Sequence, residues 1–552
     1  MKHMRKIIAL VIAMVMMAAM VVPTMAADGK SITITGGKKG HTYTAYQILT
    51  GTVDGNELKN IQWGDGVTSG WINGRIAAAF AKTLTDEAAA KALAKDLDHP
   101  DNLVADKGHA VTLEADGTVQ ITGLDEGYYL VVDTVKDEDE SKVADENDVY
   151  SAYIIKVVKD ATAASKSSIP SLDKDIITTV NNSKTGEETH VEAADYNIGD
   201  TVTYELSGTL PDNYDSYDWY KYEFVDTISK GLSVDVSKIK VYKDSVSTAN
   251  DITDKFSITP TTNIDGTVDT SEIKITCADL KDDTNGVDGL TSTSKIIVRF
   301  DAVVTKDALI GSTGNKNEAY LTFSNNPNNG GEGDTTNTPP DEVLVFIYEL
   351  DVTKVDGSNT ELKLGDAQFV LKATSGEHNG KYVKLDSNHK ISGWLDTKPA
   401  EKTAAAADGK FTAAEITAAA ADGVLISSAN GLFDIKGLDA GNYELEEIKA
   451  PSGYNKLPNA ITIVVEATLT GSDSATHDQV EPALTKLEIT ANGTKTEGNV
   501  TTGIVATTVE NNSGSTLPET GGIGTTLFYV VGSILVLGAA VLLVTRRRVN
   551  AQ

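Results

Sequence analysis

The chain has 552 residues, 48 Lys+Arg against 79 Asp+Glu, and a formal net charge of −31; at about 150 residues per domain, that length predicts three or four domains. So acidic a chain repels phosphate, which argues against binding DNA or RNA. Its one cysteine, Cys277, excludes an intrachain disulfide and any zinc site built on several thiolates.

The chain opens on Met1-Lys2-His3-Met4-Arg5-Lys6, runs apolar over 7–22 and reaches small residues at Ala26 and Ala27. A basic start, a short apolar core and a small-residue close make a secretory signal peptide over 1–26. A first domain is expected over 27–168, a second over 169–346 and a third over 347–512, followed by a tail over 513–552.

Short alternating runs rich in Val, Ile, Thr and Tyr, at 31–35, 201–206, 295–300, 369–372 and 460–465, read as strands. Turn pairs such as Asp54-Gly55, Asp116-Gly117 and Asp265-Gly266 punctuate them. The fold class that follows is all-β, as tandem immunoglobulin-like sandwiches. Helix is expected only over 77–97 and in the Ala-rich stretch 403–421, where Thr-Ala-Ala-Ala-Ala-Asp-Gly starts at Thr403 and again at Thr417. That stretch reads either as an insertion on a sandwich or as a solvated loop. Segment 160–170, rich in Ala, Ser and Lys, reads as the linker closing the first domain, and 325–340 as a loop late in the second. Ile121-Thr-Gly-Leu-Asp-Glu-Gly-Tyr-Tyr-Leu-Val-Val-Asp133 echoes Ile435-Lys-Gly-Leu-Asp-Ala-Gly-Asn-Tyr-Glu-Leu-Glu-Glu447, so the first and third domains are expected to be related sandwiches.

The tail carries Leu517-Pro518-Glu519-Thr520-Gly521, then an apolar run over 525–544, then Arg546, Arg547 and Arg548. The run has about the ~20 residues a membrane-spanning helix needs, and the arginines fit a cytoplasmic end. Pro518 biases Leu517 to an extended conformation, and Gly521 and Gly522 admit close approach to the backbone. This tail resembles the sorting signal of Gram-positive surface proteins. The resemblance implies cleavage between Thr520 and Gly521 by a sortase transpeptidase, which passes Thr520 through a thioester to an amine. Without its two ends the chain keeps 42 basic and 79 acidic residues, a self-repelling extracellular protein. Exported proteins commonly rely on a covalent staple, and here it cannot be a disulfide.

Three segments of the third domain belong together: Leu350-Asp-Val-Thr-Lys354-Val-Asp, Tyr443-Glu-Leu-Glu-Glu447-Ile-Lys-Ala-Pro451-Ser-Gly-Tyr454 and Val505-Ala-Thr-Thr-Val-Glu-Asn511-Asn512. They resemble the collagen-adhesin B-type domains of Gram-positive pilins. In that family a first-strand lysine joins a last-strand asparagine in a spontaneous isopeptide bond promoted by a glutamate, which implies Lys354, Asn511 and Glu447. The second domain holds Pro170-Ser-Leu-Asp-Lys174-Asp-Ile, Phe224-Val-Asp226-Thr-Ile-Ser-Lys-Gly231-Leu232 and Asn317-Glu-Ala319-Tyr-Leu321. This set resembles the isopeptide-forming middle domain of backbone pilins and implies Lys174, Asn317 and Asp226, with Glu223 a competitor for the acid.

The chemistry suits those residue types. Burial disfavours an ammonium and so frees the amine as a nucleophile. An acid kept protonated by the same apolar site donates to the carboxamide oxygen and shuttles protons. Adjacent strands that hold amine and amide together supply ~7–11 kcal/mol of positioning. The first domain has Asp133 at the acid position but no matching lysine and asparagine, so no bond is expected there.

The pilin resemblance also implies a lysine at the end of the first domain that accepts the threonine of another subunit. The family's usual Val-Tyr-Pro-Lys is absent; Lys166 is favoured over Lys159, with Lys156 behind both. The partners implied are a pilin-type sortase and a housekeeping sortase, other copies of the chain, minor pilins and peptidoglycan. No metal or cofactor is expected: the eight histidines are scattered, and no phosphate-binding glycine loop or Gly-x-Ser-x-Gly occurs. Asp137-Glu-Asp-Glu140 reads as a solvated loop, 263–266 as a turn and Cys277 as a buried apolar residue. The reading is a shaft subunit of a covalent, sortase-assembled pilus, not an enzyme. Its rival is a monomeric wall-anchored adhesin for a host surface ligand.

Overall fold

The computed structural model describes residues 29–514 and 523–549, apart from 38, 56, 85–92, 95, 98–100, 116, 136–151, 165–167, 179–187, 327–334 and 474–479. The expectations at 1–26, 137–140, Lys166, Leu517, Pro518, Glu519, Thr520 and Gly521 therefore lie outside the described residues. Among those described, the strands form three successive pairs of sheets.

Strand formation follows the period of two. Along Thr201–Thr209, Val202, Tyr204 and Leu206 are buried and Thr201 is exposed. Leu172–Thr178 turns Leu172, Lys174 and Ile176 inward, and Tyr348–Asp356 turns Tyr348, Leu350, Val352 and Lys354 inward. In the last two, a lysine occupies a place that the alternation reserves for an apolar side chain.

The first pair sets a three-stranded sheet, in the order Gly117–Leu124, Lys30–Gly37, Ala161–Ala164, against a sheet holding His41–Asp54 and Gly127–Val135. The third pair repeats the plan. Leu432–Leu438, Tyr348–Asp356 and Ile504–Asn511 make a three-stranded sheet, and the larger sheet holds Gln368–Ala373 and Gly441–Lys449. In both, the central strand runs antiparallel to one neighbour and parallel to the last. The sequence echo is thus an echo of topology. The middle pair places Leu172–Thr178 in a six-stranded sheet and the neighbours Tyr222–Ser229 and Asn315–Ser324 in a seven-stranded one.

The middle and third pairs share one hydrophobic core, and Ile347 alone separates Asp341–Phe346 from Tyr348–Asp356. The first pair has two clusters of its own, around Ile32, Tyr43 and Ile121 and around Ile48, Trp71 and Leu97.

Three local readings change. The start of the supposed linker, Ala161–Ala164, is a strand that pairs in parallel with Lys30–Gly37; small side chains let an edge strand form where composition reads as linker. The helix expected over 77–97 stops at Ala77–Ala81 and gives way to a turn, with helical residues again at 93–94 and 96–97. In the Ala-rich stretch only Ala413–Ala421 is helical, because Thr412 and Glu415 close a capping box there. At the C-terminus Ile523–Val549 is a 27-residue helix, about 40 Å long at ~1.5 Å per residue. Its side chains are described between Tyr529 and Val541, where Ile534, Leu535, Val536 and Leu537 are exposed. Among the described residues no helix is long and apolar enough to cross a membrane, and the span expected over 525–544 lies partly outside them.

Candidate isopeptide sites

Lys174, Asp226 and Asn317 are each completely buried. Lys174 sits in the six-stranded sheet opposite Leu206, and Asp226 and Asn317 come from the facing sheet. There Asn317 pairs with Ile228 across the ladder and so shares a face with Asp226, two residues earlier. The Lys174 Nζ donates to Asp226 Oδ2. It lies 5.3 Å from the Tyr204 ring centroid and 5.6 Å from that of Phe300. The Lys174 backbone N–H donates to Asp341 Oδ2 at 2.9 Å. Burial pushes the Lys174 pKa down, against the pull of the Asp226 carboxylate. Burial pushes the Asp226 pKa up, against the Lys174 ammonium. Both directions favour a neutral amine facing a neutral acid. The Asn317 carboxamide and Asp226 Oδ1 are buried, and the Asn317 side chain is among the groups that oppose the rise of the Asp226 pKa.

Glu223, the competing acid, lies an odd number of residues from Asp226 and faces the other way. It accepts from Lys221 Nζ at 3.1 Å and Thr276 Oγ1 at 2.6 Å. One expectation changes. Lys174 and Asn317 do not lie on adjacent strands; they come from the two facing sheets of the sandwich.

Lys354, Glu447 and Asn511 form the second cluster, each no more than 1% exposed. Here amine and carboxamide do lie on adjacent strands. The parallel ladder pairs Lys354 with Val509 and Asp356 with Asn511, which puts Lys354 and Asn511 on one face. Glu447 enters from the opposing sheet, where it pairs with Phe369. Lys354 Nζ donates to the Val509 carbonyl at 3.0 Å. Burial lowers the Lys354 pKa to about 8, with Glu447 the main opposing charge. Asn511 Nδ2 donates to Glu447 Oε2 at 3.0 Å and also to the Asn455 carbonyl. Leu457 N donates to the same Glu447 oxygen at 2.7 Å. The acid therefore sits on the nitrogen of the carboxamide, not on its oxygen as the sequence reading had it.

The first sandwich shows what stands in place of this cluster. Gly37 pairs with Gly117 there, as Lys354 donates its N–H to Gly431 in the third. A glycine thus occupies the lysine position. Asp133, equivalent to Glu447 in the echo, lies 2.8 Å from His41 Nδ1, and both side chains are buried. Sequence reasoning missed His41; its signal was a histidine at an inward place of an alternating strand, next to Tyr43 and Ala45.

Of the lysines considered for joining subunits, Lys159 and Lys156 are exposed at the end of Ala152–Val157. Cys277 is buried on Thr270–Cys277, and burial raises its pKa to about 11. At 263–267, Asp265 Oδ1 accepts from Thr267 N at 3.0 Å, a local turn. Among the described residues no three His, Cys, Asp or Glu side chains group to hold a metal.

Residues 348–479 match the SpaA family, described as a prealbumin-like fold domain, and residues 509–551 match the LPXTG cell wall anchor motif. The chain is an LPXTG-anchored cell-surface protein made of β-sandwiches, prealbumin-like in its third part. In particular, it is similar to the trypsin-resistant surface T6 protein of Streptococcus pyogenes serotype M6, at 26% identity over a 416-residue alignment, with 70% of each chain covered. Among solved structures, it resembles the T6 backbone pilin of serotype M6 Streptococcus pyogenes, with a TM-score of 0.49, 17% identity and coverage of 89% of this chain and 99% of that one. It also resembles the major pilin SpaD of Corynebacterium diphtheriae, with a TM-score of 0.46, 17% identity and the same coverage.

Proposed function

We propose that the chain is the structural shaft subunit of a sortase-assembled covalent pilus, stapled internally by Lys174–Asn317 and Lys354–Asn511 isopeptide bonds. The observation that carries this is the pair of buried clusters, each a lysine, a carboxyl group and an asparagine. A buried charge is costly unless it is paired or neutralised, and a chain that keeps two lysines inside its sandwiches has a use for them as amines.

In the third domain, Glu447 takes a proton from the Lys354 ammonium. The neutral Nζ attacks Cγ of Asn511. The Nζ–Cγ bond forms and the Cγ–Nδ2 bond breaks. One further amine proton passes through Glu447 to Nδ2, and ammonia leaves. Asp226 serves Lys174 and Asn317 in the same way. Each site reacts once, so neither is a turnover enzyme. A sortase then passes Thr520 of one subunit to Lys159 or Lys166 of the next, and a second sortase transfers the finished fibre to peptidoglycan.

The test is the intact mass of the polypeptide over 27–520. A deficit of two ammonias is expected, with Lys174→Ala and Lys354→Ala each restoring one. An undiminished mass would overturn the staples. On cells, a ladder of SDS-resistant species marks the pilus, and one wall-linked band marks the adhesin instead.

A further inference from the structure

The third-domain cluster has an accessory that the middle one lacks. The loop after Gly441–Lys449 runs Pro451-Ser-Gly-Tyr454-Asn455-Lys-Leu457 and bends back over the reacting groups. Gly453 turns it at φ +86°, where a side chain would be strained. Three contacts tie the loop to both strands of the bond. The Tyr454 hydroxyl donates to Asp356 Oδ2 at 2.8 Å, two residues beyond Lys354. Tyr454 bridges to Ser513. Asn455 N donates to the Asn512 carbonyl at 3.1 Å.

So fixed, the loop presents two backbone groups to the chemistry. Leu457 N holds Glu447 Oε2, and the Asn455 carbonyl meets Asn511 Nδ2. A carbonyl oxygen only accepts, so the atom facing it has to be the NH2 of the carboxamide. That fixes which way the amide is turned. Its nitrogen, the leaving group, faces Glu447, and its buried oxygen has no hydrogen-bond partner. In the middle cluster no backbone carbonyl is bonded to the Asn317 carboxamide, whose one neighbouring influence is Asp226.

We infer that the 451–457 loop is a leaving-group clamp and that Tyr454 is its positioning residue. Through Asp356 it holds the Asn455 carbonyl against Asn511, so that Glu447 hands a proton to Nδ2 and that nitrogen departs as ammonia. This rests on the Lys354–Asn511 bond proposed above. Tyr454 touches none of the reacting atoms. Orientation is rate: a carboxamide free to turn its oxygen toward Glu447 spends part of its time with the wrong atom beside the acid.

The experiment synthesises the full chain in a cell-free system, quenches samples into acid over time and quantifies the Lys354–Asn511 cross-linked peptide by mass spectrometry. Tyr454→Phe removes the donor of that hydrogen bond and Asp356→Ala its acceptor. Each is expected to slow closure about ten-fold, while the Lys174–Asn317 bond in the same molecule closes at the wild-type rate. A merely structural tyrosine would lower the thermal stability of the Lys354→Ala chain, which cannot close, and leave the closure rate alone. Closure in Tyr454→Phe at the wild-type rate overturns the clamp and leaves the bond standing. No cross-linked peptide from the wild-type chain overturns the bond itself.

Discussion

Glu447→Gln gives the sharpest test of the third-domain staple. The substitution keeps the shape of the side chain and removes its ability to take up and return protons. Lys354 and Asn511 then stay unjoined, and the sequence mass of the variant is intact at this site. The loop that the bond closes contains roughly 160 residues, and the chain-entropy formula for cross-links makes it worth about 5 kcal/mol against unfolding. For a unit of 150–250 residues, each kcal/mol shifts the midpoint by about 2–4 °C. The variant is therefore expected to melt about 10–20 °C lower in scanning calorimetry. The lysine it leaves behind is buried beside a neutral amide, which lowers the midpoint further. Two results refute the reasoning. A variant that still loses this ammonia would show that Glu447 is not the promoter. A variant that keeps the ammonia yet melts within about 2 °C of wild type would show that the bond carries none of the stability computed for it.

Other outcomes follow from the same geometry. Burial lowers the Lys354 pKa to about 8, and the proton that the amine loses passes to Glu447, so the reactive pair carries as many protons as the ion pair it forms from; closure should be flat from about pH 6 to about 8 and fall about ten-fold per unit above it, as that shared proton is lost to solvent, and a rate that rises through this range contradicts the assignment. The unjoined folded chain binds fewer protons at Lys354 than the unfolded chain, so an Asn511→Ala variant should gain stability as pH rises from about 8 toward the ordinary lysine value near 10.4, read by urea titration at stepped pH. Asp226→Asn should restore one ammonia to the intact mass and leave the third-domain cross-link in place, which peptide mapping reads directly. His41→Ala breaks the buried His41–Asp133 pair and should cost about 3–5 kcal/mol in the first domain alone, seen as an earlier separate transition.

Much of this was legible because alternation is a strong signal. Leu172-Asp-Lys174-Asp-Ile176 and Leu350-Asp-Val352-Thr-Lys354 both read as strands with lysine on the inward face. Alternation even separates Asp226 from Glu223, since only the former shares a face with Phe224 and Ile228. What the sequence hid was pairing between distant strands. Nothing local says that Asn511 and Lys354 share one sheet while Asn317 and Lys174 lie in two. The strand Ala161–Ala164 was hidden for the opposite reason. Four small residues carry no burial pattern, and only the parallel ladder to Lys30–Gly37 makes them a strand. The His41–Asp133 pair was missed because the search at Asp133 was for a lysine, and the register puts Gly37 in that place.

The two proposed staples also differ in what they leave under load. Tension along a fibre enters the third sandwich at Tyr348–Asp356 and leaves at Ile504–Asn511, the strands that Lys354–Asn511 would join. Nearly all of that sandwich then lies off the loaded path. The middle sandwich is entered at Leu172–Thr178 and left at Asp341–Phe346, but its bond reaches only Asn317 on Asn315–Ser324. The segment from 318 to 346 stays in line. Its last strand is held antiparallel to Asn315–Ser324 and parallel to Ala193–Asp195, and Asp341 grips the Lys174 backbone. The proposed covalent path would there give way to ordinary hydrogen bonds, at a strand buried in the core shared with the third sandwich. With both proposed bonds in place, the shared core would carry part of the tension, because it covers the one stretch of the two sandwiches that neither bond would enclose.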